Sequence, residues 1–159
     1  MIVETVRFGP LEVPDDKLIT MERPILGFES LARFCLIERE DLKPFYWMQS
    51  TQEPSVAFLV VNPRVFFPDY HIEVNRKEIA ELKVDRVQSV ETYVVVTLNE
   101  DAEQISANLQ GPILINTESN LAKQLVLVNS EYKVKHPLVA ALAESDVPVE
   151  TEELETVEL

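Results

Sequence analysis

Three ionisable residues near the middle of the chain, Asp69, His71 and Glu73, are of types that suit acid–base catalysis or metal binding. On an extended strand, residues at this spacing face the same side and lie roughly 7 Å apart. One metal ion could therefore bind only some of them, and further ligands would have to come from another strand. The residues between them indicate core, so we interpret the three as an exposed polar face. The alternative is a small-barrel metal- or ligand-binding enzyme that uses them.

The other residues that could carry chemistry offer weaker signals. Cys35 is the only cysteine, and it lies between Phe34 and Leu36, where a buried thiol behaves as a small inert hydrophobe. His136 has only Glu131 as a nearby carboxylate in sequence and is interpreted as structural. The three glycines are too far apart for a phosphate-binding loop, and no GxSxG motif is present. The sequence therefore predicts no enzyme, no cofactor and no resident metal.

The elements that would position these residues are mostly strands. Residues 44–63, PFYWMQSTQEPSVAFLVVNP, predict two strands, 45–48 and 56–61, joined by a polar turn. Both strands are apolar on both alternating faces, which indicates burial on both faces or a tightly closed sheet. A large aromatic residue within such a strand, Trp47, is therefore expected in the core.

Further short segments rich in β-branched and aromatic residues predict additional strands. They are residues 1–6, 18–21, 34–38, 70–74, 92–98, 105–109, 112–116, 124–128 and 131–136. Asn75 and Glu78 resemble a capping box that opens a short helix over 76–82, and HPLVAALAE predicts another after His136. Many short strands with few helices predict a mainly β fold, a small antiparallel β-barrel-like domain with one or two short helices.

Length and charge define the class of protein. The chain has 159 residues, which suits one domain, here residues 1–138, followed by an acidic tail over 139–159 that we expect to form a short helix and then to be disordered. The first residues do not resemble a signal peptide, and the longest apolar run, residues 56–61, is too short to cross a bilayer. We expect a cytoplasmic protein with no membrane contact.

The net charge of −14 arises from 28 acidic and 14 basic residues. Such a surface repels a phosphate backbone, so direct nucleic-acid binding is not expected. A basic protein partner fits this charge, although acidity that merely keeps the protein soluble explains it equally simply.

Three long stretches resemble the flagellar assembly factor FliW family. They are ILGFESLARFCLIE (25–38), FYWMQSTQEPSVAFLVVNPRVFFPDYHIEV (45–74) and NLQGPILINTESNLAKQLVLVNSEYKVKHPL (108–138). The third contains the NLxxPIxIN pattern, the lysine–glutamine pair and the closing HPL of that family. The pattern is long and ordered, and it spans nearly the whole body of the chain.

The resemblance implies a β-barrel-like domain without enzymatic activity. Members of this family bind CsrA, an RNA-binding dimer that represses translation, and relieve its repression of messages that include flagellin. They also bind flagellin, which competes with CsrA for them. A dedicated flagellin chaperone with no role in translation is a third interpretation, which only a test with CsrA separates from the regulator.

The residues that would contact a partner are predicted from positions that a core does not need. These are Phe67, Asp69, Tyr70, His71 and Glu73, followed by Asn108, Gln110 and Asn116 beside the glycine–proline bend. The asparagines have a structural alternative, because asparagine commonly shapes turns.

Overall fold

The structure is a computed structural model that describes residues 1–74, 76–84, 86–98, 105–127 and 131–138. In chain order its strands are β1 (Ile2–Thr5), β2 (Gly9–Glu12), β3 (Leu18–Arg23), β4 (Arg33–Glu38), β5 (Tyr46–Ser50), β6 (Ala57–Val61), β7 (Val90–Thr97), β8 (Ser106–Ala107), β9 (Ile113–Asn116), β10 (Leu121–Gln124) and β11 (His136–Pro137). One α-helix, α1 (Arg76–Ala80), and four single-turn 3₁₀ segments complete the described elements.

Seven strands close into a barrel. From β3 to β7, each strand pairs with the next in antiparallel fashion, β7 then pairs with β9, and β9 pairs with β10. A parallel pairing between β10 and β3 completes the circle. Every barrel strand thereby has a neighbour on each side, which removes the exposed sheet edges that favour aggregation. The predicted mainly β, barrel-like fold is confirmed.

Three smaller pairings lie outside this circle. β8 pairs with the end of β7, and β11 pairs with β8. β1 and β2 form a separate hairpin. Within the described ranges, no helix is long and apolar enough to span a membrane.

Side chains that point inward from the strands fill the barrel interior. Alternate residues of the strands point inward because successive side chains of a strand face opposite sides. The buried members of this interior core are Ile19, Met21, Ile25, Phe34, Met48, Val60, Tyr93, Ile113, Ile115 and Ala122. The short strands and their β-branched residues suit such an interior, because bulky side chains fill a small barrel.

Two further cores lie on the outside of the barrel. The first outer core covers the outward residues of β6, β7 and β9, and its buried members are Val61, Tyr70, Ile72, Leu82, Val94, Val96, Ala107, Leu109, Leu114, Leu125 and Leu138. The second outer core is smaller and joins Val3 and Val13, on either side of the β1–β2 hairpin, to Cys35 of β4. These covers explain why several strands read as apolar on both faces.

Three strand predictions are wrong or displaced. Residues 70–74 run without a strand partner, because Tyr70 and Ile72 are buried against the outside of the barrel and so give the two-residue period of a strand without a ladder. The strand predicted at 131–136 pairs only as β11, at His136 and Pro137. The strand predicted at 124–128 lies earlier, as β10.

Other predictions are confirmed or missed. The strand β2 was missed, because its glycine and proline indicate a turn. The helix prediction is confirmed as α1. Asn75 of the capping box, the segment from Val139 and the acidic tail lie outside the described residues.

Asn116 joins the turn after α1 to the barrel. Its amide Nδ2 donates to the carbonyl oxygens of Leu82 (2.8 Å) and Lys83 (3.2 Å). Its Oδ1 accepts from the Ser89 hydroxyl (3.1 Å) and from the Glu118 amide (2.9 Å). The residue is only 1% exposed, so water cannot replace these partners.

We therefore expect Asn116→Ala to lower the free energy of unfolding by about 2–3 kcal/mol, because it leaves several buried groups without a partner. Urea unfolding followed by circular dichroism measures this change. Gln88→Ala, at an exposed position, is the control and is expected to change stability by less than about 0.5 kcal/mol. Equal effects of the two substitutions would contradict the role given to Asn116.

Candidate functional site

Most of the residues predicted to contact a partner meet at one surface, which we call the turn surface and define as residues 67–71, 108–110 and 132–136. The Tyr70 hydroxyl donates to the carbonyl oxygen of Leu109 at 2.8 Å. The Leu109 amide in turn donates to the carbonyl oxygen of Lys133 at 3.0 Å. These two bonds hold the three segments side by side.

Aromatic contacts complete the turn surface. The Phe67 ring meets the His136 ring edge to face, with centroids 5.0 Å apart. The His71 amide donates to the Tyr132 hydroxyl at 3.2 Å, and the Tyr132 ring lies 4.6 Å from the Tyr70 ring. Burial lowers the pKa of His136, and the charge of Lys133 acts in the same direction. His136 packs against Phe67 in this surface, in agreement with its interpretation from sequence as a structural residue.

The accessible part of the turn surface is smaller than predicted. Asp69 and His71 are exposed and Phe67 is half-buried, so all three can meet a partner. Tyr70 is 1% exposed and belongs to the first outer core, and burial raises the pKa of its hydroxyl. Its side chain is therefore unavailable to a partner in this structure and positions Leu109 instead.

Asn108 and Gln110 shape a turn in which a larger residue at Gly111 would have to displace a neighbouring side chain. The Asn108 Oδ1 accepts from the Gly111 amide at 2.9 Å, and Gln110 exchanges hydrogen bonds with the main chain of Leu127. A Cβ atom at Gly111 would lie 2.9 Å from the Asn108 amide nitrogen and 3.0 Å from that of Gln124. Both predicted residues are half-buried, so they have structural partners and a remaining accessible fraction.

Glu73 and Asn116 lie outside the turn surface. Glu73 is exposed, and it follows the buried Ile72. Asn116 is buried, with its amide engaged by the turn after α1, so its side chain is not available to a partner in this structure.

The residues considered for metal or acid–base chemistry lack the geometry that the prediction assumed. Asp69, His71 and Glu73 do not share the face of a strand, because residues 70–74 form none. The His71 Nδ1 atom lies 3.2 Å from the main-chain oxygen of Asp69 rather than from its carboxylate. Across the described ranges, no group of three or more histidine, cysteine or carboxylate side chains could hold a metal ion.

A buried lysine beside α1 forms a charged network instead. Lys123 follows a register shift in the β10–β3 pairing, and its side chain is 1% exposed. Its Nζ donates to the main-chain oxygen of Glu78 (3.1 Å) and to the Glu81 carboxylate (3.0 Å). Arg23 donates two further bonds to Glu81, at 3.1 and 2.9 Å. The hydrogen bonds from Arg23 and then Lys123 lower the pKa of Glu81 to about 2.

The single cysteine packs as the sequence indicated. Cys35 is 1% exposed and contacts the β1–β2 hairpin in the second outer core. Burial raises the pKa of its thiol, which keeps it protonated and unreactive.

The prediction that Trp47 lies in the core is wrong. Tyr46 and Met48 of β5 pack in the barrel interior, so Trp47 between them points outward, where it is half-buried. The Arg7 guanidinium lies 3.9 Å from the centre of its ring. Sequence reasoning missed Arg7. The only signal for it in the sequence is that β5 is apolar on both faces, because strand alternation then places one apolar face, here that of Trp47, outside the barrel.

The comparisons with known proteins agree with one another. The chain matches the family model described as FliW protein over residues 2–138. It is 39% identical over 144 residues to the flagellar assembly factor FliW of Thermoanaerobacter pseudethanolicus, covering 89% of this chain and 95% of the relative. The identity to the flagellar assembly factor FliW of Bacillus subtilis is 33% over 138 residues, covering 87% and 96%. A crystal structure of the flagellar assembly factor FliW superposes with a TM-score of 0.81 at 33% identity, covering 87% of this chain and 96% of that one.

The lowered pKa of Glu81 predicts how the stability of the fold changes with pH. Its carboxylate stabilises the fold above its ordinary pKa of 4.5, and this contribution is lost as the pH falls from about 4.5 to about 2. We expect Glu81→Gln to be less stable than the wild type at pH 7 and to lose less stability between pH 5 and pH 2.5. Urea unfolding at each pH measures the difference.

The control is Glu22→Gln, at an exposed position on the same strand as Arg23. It should follow the wild-type pH dependence. Parallel curves for the wild type and Glu81→Gln would show that Glu81 is not held as its contacts with Arg23 and Lys123 indicate.

Proposed function

The chain belongs to the FliW protein family, and we propose that it acts in flagellar assembly as a non-enzymatic factor that binds other proteins. The observation that carries this proposal is the match over residues 2–138, which includes all the described barrel strands and both outer cores. The relatives named above are flagellar assembly factors. The absence of the strand that would align Asp69, His71 and Glu73 removes the main argument for the alternative enzyme.

The first partner that we propose is CsrA, the RNA-binding translational repressor. The net charge of −14 supports a basic partner, because complementary potentials speed association and exclude wrong partners. The same charge argues against a direct contact of this protein with RNA. Its action on translation is proposed to take place in the cytoplasm.

The second proposed partner is flagellin, which competes with CsrA. A domain of this size has a radius of gyration of only about 14 Å, so two protein partners easily overlap in space even when their contacts differ. Binding of CsrA relieves repression if this protein prefers the CsrA state that holds RNA weakly, or if it obstructs the RNA directly. Flagellin then controls how much of this protein is available to CsrA.

For the contacts we propose the accessible part of the turn surface, Phe67, Asp69 and His71, with the exposed edges of Asn108 and Gln110. The partners of these side chains within the chain fix their positions before binding. Such fixed positions reduce the entropy that is lost on association. Glu73 is exposed next to this surface in sequence and belongs to the same proposal.

A gel-shift assay with CsrA, its target RNA and flagellin from the same organism tests the function. We expect this protein to release RNA from CsrA without shifting RNA on its own, and added flagellin to restore the CsrA–RNA complex. RNA retained on CsrA at saturating protein contradicts the role in translation. If flagellin still binds in that case, the protein is a dedicated flagellin chaperone.

Charge reversal tests the turn surface. We expect Asp69→Lys to weaken CsrA binding about tenfold, because it brings like charge towards a basic partner. Glu53→Lys makes the same change of charge at an exposed position on another loop and is the matched control. Isothermal titration calorimetry measures both affinities. Equal losses for the two variants would mean that only the overall charge matters and that the turn surface is not the contact.

A further inference from the structure

The outer face of the barrel has a gap between its two covers. Ile37, Trp47 and Leu59 stand side by side across β4, β5 and β6, in one row of paired residues. Ile37 packs against the second outer core and Leu59 against the first. Trp47 joins neither of these cores within the described part of the chain, although all three side chains are half-buried. The gap therefore exposes part of an aromatic ring.

Arg7 covers the Trp47 ring in this gap in place of an apolar side chain, and a second arginine, Arg39, lies against Phe8, the residue after Arg7. The Arg7 guanidinium lies 3.9 Å from the centre of the Trp47 ring, and the Arg39 guanidinium lies 5.1 Å from the centre of the Phe8 ring. Both distances are within the range of cation–π contacts. Val6, next to Arg7, is 73% exposed. We call residues 6–8, Arg39 and Trp47 the arginine–tryptophan patch.

The guanidinium donors of this patch are largely unused. Arg7 makes no hydrogen bond or ion pair with any residue that the structure describes. Among the described residues, Arg39 has one carboxylate within 4 Å, that of Asp41 at 3.9 Å, and both side chains are at least half exposed. Exposed pairs of this kind contribute little.

The chemistry of the patch indicates its ligand. A guanidinium whose face lies on an aromatic ring keeps its edge free, and that edge matches a carboxylate through two parallel hydrogen bonds. The ring fixes the orientation of the guanidinium, which lowers the cost of ordering it on binding. Tryptophan and arginine are also the residue types that most often dominate the binding energy of protein interfaces.

We propose that the arginine–tryptophan patch binds an acidic segment of a partner protein in which carboxylates flank an apolar side chain. The carboxylates pair with Arg7 and Arg39, and the apolar side chain packs on Val6 and the exposed part of Trp47. A nucleic acid would also offer anions and rings, but it carries a charge on every nucleotide, so the net charge of −14 repels it along its whole length. A protein segment that carries only the few carboxylates needed to pair with Arg7 and Arg39 meets less of this repulsion, so an acidic protein segment is favoured.

The assignment of a partner rests on the proposed function. CsrA binds RNA and so carries basic surface, which would bring like charge towards Arg7 and Arg39. We therefore assign the patch to flagellin, and the turn surface to CsrA. Competition between the two then arises from overlap of their bound volumes on one small barrel.

A peptide titration tests the patch without either partner. Trp47 is the only tryptophan, so its fluorescence reports on this site alone. The probes are acetylated, amidated pentapeptides with a central phenylalanine flanked by two glutamates on each side, or by two glutamines. We expect a saturable change with the glutamate peptide and at least about tenfold weaker binding of the glutamine peptide. Equal responses to both peptides, or a response to single-stranded RNA instead, would overturn the proposal.

Substitutions then connect the patch to flagellin. We expect Arg7→Gln and Arg39→Gln each to weaken flagellin binding about tenfold and CsrA binding less than twofold. Arg33→Gln, at an exposed position of β4, removes the same charge and is the matched control. Circular dichroism checks that all three variants stay folded. Flagellin affinities of Arg7→Gln and Arg33→Gln within twofold of each other would reject the assignment.

Different results would reject the proposed function and the proposed patch. If the wild type bound no flagellin at all, the proposed function would lose that partner, and the peptide titration would still decide whether the patch takes an acidic segment. If the wild type bound flagellin and the Arg7 and Arg39 variants kept full affinity, the function would stand and the patch would be rejected.

Discussion

A barrel of seven short strands can bury side chains inside itself on one face only, so strands that are apolar on both faces need cover from outside. This constraint determines most of the remaining structure. The segment that includes Tyr70 and Ile72, the turn after α1 and the end of the described chain at Leu138 together cover the outward residues of β6, β7 and β9. The β1–β2 hairpin covers β4. Segments that would otherwise be solvent-exposed connections therefore become covering segments, which pack on the outside of the barrel.

Residues of the most specific sequence motifs hold these covering segments on the barrel. Asn116 holds the turn after α1, Gln124 bridges the Leu26 amide and the Gly111 carbonyl, and Lys123 binds Glu78 and Glu81. Each is a polar side chain that satisfies main-chain or charged groups where covers meet the barrel. A buried lysine is costly unless it is paired, and here its partners lie on the element that it fastens. Such residues fix the surfaces through contacts within the chain.

The sequence predicted the barrel strands well where the residues themselves determine them. Alternating or continuous runs of valine, isoleucine and aromatics located β4, β6 and β7. Residues 70–74 were misread because burial against the outside of a barrel has the same two-residue period as a strand. The parallel β10–β3 pairing was not predictable, since nothing local in either strand specifies its neighbour. For the same reason Arg7 and Trp47, which are distant in sequence, could not be joined into a site.

The two outer cores do not cover the whole outside of the barrel, and the gap between them affects how one small domain can distinguish partners. Between the two outer cores, the barrel exposes part of the Trp47 ring. An arginine, Arg7, covers it rather than a leucine. A leucine there would leave an apolar patch open to any protein, whereas an unpaired guanidinium repels basic partners and accepts acidic ones. The rest of the surface is acidic and does the opposite. As proposed, the turn surface and the arginine–tryptophan patch differ in charge preference, so partners of different charge would bind through different contacts and would still overlap in space on one small barrel.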